Sequence, residues 1–95
     1  MKLTSLALAT ALATVSTLTA AQAVRTERNL SLDLANQIAS AAVSACQASG
    51  HSVTAAVVDR AGLLRALERA DNAGPHTIEA ARAKAFTSAS ARNNT

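Results

Sequence analysis

The stretch Val53-Thr54-Ala55-Ala56-Val57-Val58-Asp59-Arg60-Ala61-Gly62-Leu63-Leu64-Arg65-Ala66-Leu67-Glu68-Arg69 decides how this chain folds. Its first six residues are apolar and β-branched, a composition that suits a half-buried pleated surface. Asp59-Arg60-Ala61-Gly62 interrupts them, and Leu63 resumes an extended run. An Asp at the start of a tight turn bonds the backbone two residues on, and a Gly at its end takes the positive φ that closes a short hairpin. Two antiparallel strands are therefore predicted over 53–59 and 63–69, the first more buried than the second. Taken alone, 63–69 is equally compatible with a helix, because Leu, Arg, Ala and Glu are good helix formers. The turn decides for a strand.

Working outward, the segment before the hairpin changes period. Leu34, Ile38, Ala41, Ala42, Ala45 and Cys46 recur at spacings of three and four, behind Ser31 as an N-cap and Asp33 in the first turn, and Gly50 supplies a left-handed stop. A helix over 32–49 follows. After the hairpin, Asp71-Asn72-Ala73-Gly74-Pro75 is loop by composition. Thr77 is placed to cap a second helix, with Glu79 in its first turns and Ile78, Ala81, Ala85 and Ala89 along one face beside Phe86. The fold class is α+β: helix, β-hairpin, helix, the front part of an antiparallel sheet flanked by helices.

The first residues belong to a different segment. Met1-Lys2 carries one positive charge, Leu3 to Ala20 carries none, and Ala21-Gln22-Ala23 is a small-x-small cleavage site, so 1–23 reads as a secretory signal peptide and 24–95 as the mature domain. A membrane-spanning helix is the competing reading, but spanning takes about 20 strongly apolar residues, and seven Thr and Ser dilute this stretch. The expected location is periplasmic or secreted, with no stable membrane anchor after cleavage. Nine basic and six acidic residues give a net charge of +3, and one of the nine, Lys2, lies in the leader. The rest are dispersed with no aromatic between them to stack a base, which argues against nucleic acid. Cys46 is the only cysteine, so the chain closes no disulfide on itself, and in an Ala-rich helix it reads as a small buried thiol. With one Phe and no Trp or Tyr, a domain of this size buries little apolar surface and calls for a partner or ligand.

Four blocks then succeed one another over 30–88: Leu30-Ser31-Leu32-Asp33-Leu34-Ala35; Ala55-Ala56-Val57-Val58-Asp59-Arg60-Ala61-Gly62-Leu63-Leu64; Arg69-Ala70-Asp71 with Pro75; and Ala80-Ala81-Arg82-Ala83-Lys84-Ala85-Phe86-Thr87. Together they resemble the GlcG/HbpS family, which includes the C-terminal domain of the PduO-type corrinoid adenosyltransferases. The resemblance implies a compact α/β domain, commonly assembled into homo-oligomers. Some exported members bind or degrade haem, and others accompany glycolate or diol metabolism. In that family the helix after Lys84-Ala85 is followed by a Gly-rich segment and further strands, so 24–95 is expected to be an incomplete domain.

The function expected on that resemblance is an exported haem- or tetrapyrrole-binding protein. The alternatives are a cofactor-dependent haem-degrading or redox enzyme, or a truncated, inactive oligomerising module. A haem iron needs a side chain with a lone pair, such as His, Cys, Met or Tyr. His76, entering the second helix, is the preferred metal ligand over His51, which trails a helix end, and over Cys46. Arg82 and Lys84, on the same helix, are the candidate contacts for haem propionates. A solvent-exposed loop histidine is the plain alternative for His76. Asp59 and Gly62 read as turn formers, and Glu68, Arg69 and Asp71 as a charged rim or a solvated strand end. No nucleophile–base pair and no phosphate-cradling glycine loop is present.

Overall fold

The computed structural model describes residues 23–94. The leader read over 1–23 lies, except for Ala23, outside the described residues. The elements are helix α1 (Leu32–Ala48), strands β1 (Thr54–Val58) and β2 (Leu64–Arg69), and helix α2 (Thr77–Ala91), in the order the sequence predicts. Among the described residues no helix is long and apolar enough to cross a membrane.

Local chemistry accounts for the boundaries. The Ser31 hydroxyl accepts the Leu34 N–H at 3.1 Å, satisfying one of the donors that a helix start leaves free. At the other end, Gly50 has φ +84°, its N–H donates to the Gln47 carbonyl, and the His51 N–H donates to that of Cys46. This paired 5→2 and 6→1 closure is the Schellman motif, and it needs a residue without a Cβ at the left-handed position.

The hairpin turns on Asp59. Its Oδ1 accepts from the N–H of Ala61 at 2.9 Å and of Leu63 at 3.0 Å, while its own N–H donates to the Leu63 carbonyl at 2.8 Å. Gly62, at φ +82°, lets the chain return. Pairing runs Thr54↔Arg69, Ala55↔Glu68, Ala56↔Leu67 and Val57↔Ala66, then jumps to Val58↔Leu64. Arg65 is the extra residue of a β-bulge, which adds local twist beside the turn. As expected, β1 is half-buried throughout, whereas β2 is exposed at both ends.

The two helices cover opposite faces of this hairpin. Glu68, paired with Ala55, accepts a hydrogen bond from Ser40 of α1 at 2.8 Å. Thr54 points the other way, as alternation requires, and its hydroxyl meets that of Thr77 in α2 at 2.6 Å. The helices do not pack on each other. Among the described residues both strands are paired on their inner sides only.

Two expectations are corrected. Thr77 does not cap α2: the cap position is His76, and Thr77 is the first helical residue. The Thr77 hydroxyl is engaged with the Gly74 carbonyl and with Thr54 instead, so it staples loop, helix and strand. The covered edge of α1 runs through Ala35, Ala39, Ala42 and Cys46, so of the periodic residues Ala42 and Cys46 lie on it and Leu34, Ile38, Ala41 and Ala45 do not. Ala35 and Ala39 are fully buried, whereas Leu34 and Ile38 are 46% and 44% exposed. An alanine lets the helix approach the sheet more closely than a leucine does, and close approach wins here. The price is a small core: Ala35, Ala39, Ala70 and Ala73 are its buried apolar residues, and no large side chain is fully enclosed.

Candidate functional site

The loop between β2 and α2 sets the position of His76. Arg69 folds it: the guanidinium donates to the Ala73 carbonyl at 2.8 Å and to those of Ala70 and Asp71 at 3.4 Å. Its head therefore sits inside the loop rather than on a charged rim, and Ala70 and Ala73 are buried beneath it. The N–H of Thr77 then donates to the Gly74 carbonyl at 3.0 Å. The Thr77 hydroxyl has one proton, and it points at the same carbonyl. Thr54 is therefore the donor in the Thr54–Thr77 pair, and β1 is tied to the start of α2 through two oxygens.

His76 stands at this junction, exposed, in helical backbone conformation (φ −67°, ψ −20°) and with a side chain that caps no helix N–H. Its ring lies over Gly74, where a Cβ would come within 2.8 Å of Cε1 and 2.9 Å of Nδ1. Gly74 thus leaves the space the imidazole occupies. An accessible imidazole spent on no capping bond has the lone pair that iron ligation requires.

The helix separates the two candidate cations. At about 100° and 1.5 Å per residue, Lys84 lies about 80° around from His76 and about 12 Å along. Arg82 lies about 120° away in the opposite sense. Ala80 and Ala83, both exposed, share the side of α2 that leads from His76 to Lys84. Arg82 is turned to Glu79, with which it forms an exposed ion pair at 3.0 Å. The structure therefore places His76 and Lys84 along one side of α2 and Arg82 apart from them. His51 is exposed beyond the end of α1, and Cys46 is half-buried. Among the described residues no three His, Cys, Asp or Glu side chains gather to hold a metal ion by themselves.

At the other end of α2 a cavity of about 310 Å³ opens, lined by Arg60, Ser88, Ala89 and Arg92. None of the candidate ligand-binding residues named from the sequence lines it. Arg60 belongs to the hairpin turn and Arg92 to the end of α2, far apart in the chain, so only folding brings them together.

A family model described as haem degrading protein HbpS-like matches residues 30–95. That span is more than half of the chain, and it holds both helices, the hairpin and the His76 junction. No protein of curated function matches.

Proposed function

We propose a haem-related binding role for this chain, which belongs to the HbpS-like family of haem-degrading proteins. The observation that carries the reading is the family match itself, which spans the whole helix–hairpin–helix unit. The ligand is haem or a related tetrapyrrole. His76 would ligate the iron and Lys84, on the same side of α2, would meet a propionate; Arg82, on the side of the helix away from Lys84 and paired with Glu79, would stay outside this contact. Iron supplies the redox chemistry once haem is bound; the chain positions the ring and its carboxylates.

The same reading makes the protein an exported one, on the strength of the charge, apolar run and Ala21-Gln22-Ala23 site at the N-terminus. It also assembles with copies of itself. Leu34 and Ile38, one turn apart on the same side of α1, are 46% and 44% exposed, and an apolar pair on an open helix side suits contact with a second copy.

Titration of the full chain with hemin tests the binding reading. A saturable Soret shift at micromolar hemin is expected, and its absence would end the proposal. The family's description favours a second reading, in which the bound haem is broken down. Loss of the Soret band on adding peroxide or a reductant, faster than for free hemin, would select degradation over storage. N-terminal sequencing of the protein from the exported fraction should begin at Val24, and recovery of Met1 there would overturn the export reading.

A further inference from the structure

We infer that the cavity at the C-terminal end of α2 is a binding site for a small oxyanion, a phosphate or carboxylate group gripped by Arg60 and Arg92. Arg92 lies sixteen residues beyond His76, about 24 Å along the helix at 1.5 Å per residue. One porphyrin does not touch both ends, so this site is independent of the tetrapyrrole reading.

Three observations support it. Two arginines line one cavity of about 310 Å³, and no acidic residue is among its lining residues. Like charges gathered at a concave surface focus positive potential there, and the guanidinium fork matches the paired oxygens of carboxylate and phosphate.

Arg60 is also contacted from outside the cavity. The Arg60 N–H donates to Asn29 Oδ1 at 3.1 Å, and its guanidinium donates to the Arg28 carbonyl at 3.4 Å. Glu27 approaches it only to 3.8 Å, with both side chains about half exposed, so its charge is only partly balanced. Arg92 sits at φ +54°, a left-handed conformation that normally selects Gly or Asn at a helix end. Among the described residues it has no acidic partner within ion-pairing distance. A cation at the end of α2 does suit the helix dipole, but that effect accounts for one arginine and not for the second one facing it from the hairpin.

Third, the end of α2 offers the anion little repulsion. The Ser88 carbonyl accepts from the N–H of Arg92 and from that of Asn93, the latter at 3.2 Å. Its lone pairs are engaged, and Ser88 is itself a lining residue. Ala89, also in the wall, is small enough to leave the space open.

The test is an NMR titration of the full chain with inorganic phosphate and, separately, with succinate, at ionic strength held constant with sodium chloride. Saturable shifts confined to residues 60 and 88–93 are expected for at least one anion, and which of them saturates identifies the headgroup. Arg92→Lys keeps the charge at the helix end but loses the fork, and should weaken binding about tenfold. Arg60→Gln should do the same. Arg65→Gln, which removes a cation outside the cavity, should leave the affinity unchanged. Linear, unsaturated shifts with both anions would overturn the inference, and so would equal losses from Arg65→Gln and Arg92→Lys. A spectrum of Arg92→Lys dispersed like that of the unaltered chain separates a lost contact from a lost fold.

Discussion

Two glycines lie beneath side chains of α2, one near each end of the helix, and they do different work. A Cβ on Gly62 would come within 3.1 Å of the Phe86 ring, and Gly62 also has φ +82°. A Cβ on Gly74 would meet the His76 ring at 2.8 Å, but Gly74 has no positive φ. At the hairpin end the positive φ demands glycine, and a Cβ would also press on the half-exposed Phe86 ring, so the residue is structural. At the loop end only an exposed imidazole stands in the way. Gly74 sets where His76 rests more than whether the chain folds.

Substitutions at the two ends should therefore part company. The largest stability loss should come from Gly62→Ala. Holding a non-glycine residue in the left-handed region costs about 1–2 kcal/mol, and the approach to Phe86 adds to it. Thermal unfolding of the full chain should show a drop of about 2 kcal/mol or more, and a drop below about 0.5 kcal/mol would mean the turn relaxes freely. Next is Asp59→Ala, which deletes the acceptor of two backbone N–H groups and should cost about 1–2 kcal/mol at typical net hydrogen-bond values. Asp59→Asn, keeping one acceptor oxygen, should recover most of that. The smallest effect on stability should come from Gly74→Ala, within about 0.5 kcal/mol, because the exposed His76 ring can swing aside. It should nevertheless lower hemin affinity severalfold by displacing the His76 ring. A stability loss as large as that of Gly62→Ala would show that the two glycines do not differ in kind.

The same contrast explains what could be read from the residues. The Asp59–Gly62 turn and the Gly50 stop were legible because each rests on local backbone chemistry within a few residues. The first helix was legible in extent but not in rotation. Its periodicity draws the eye to Leu34 and Ile38, while packing selects Ala35 and Ala39 for their small size. The bulge at Arg65 leaves no mark in a period-two pattern one strand long. Thr77 looked like a cap because Thr caps helices often, and its partner Thr54 stands 23 residues away. His76, Arg82 and Lys84 could be nominated one by one, but which cation shares a side with the imidazole depends on where α2 begins. The pairing of Arg60 with Arg92 carried no signal, being made only by the meeting of the hairpin turn with a helix end.

The proposed haem site lies at the start of α2, with His76 as the iron ligand. Hemin titrations of the full chain, His76→Ala and His51→Ala, followed by the Soret band, test it most directly. Both substitutions fall on exposed residues, so folding should survive in each. His76→Ala should weaken binding about tenfold, a change of about 1.4 kcal/mol, and His51→Ala should leave it within twofold of the unaltered chain. Equal and small effects from the two would contradict the claim and remove His76 as the iron ligand.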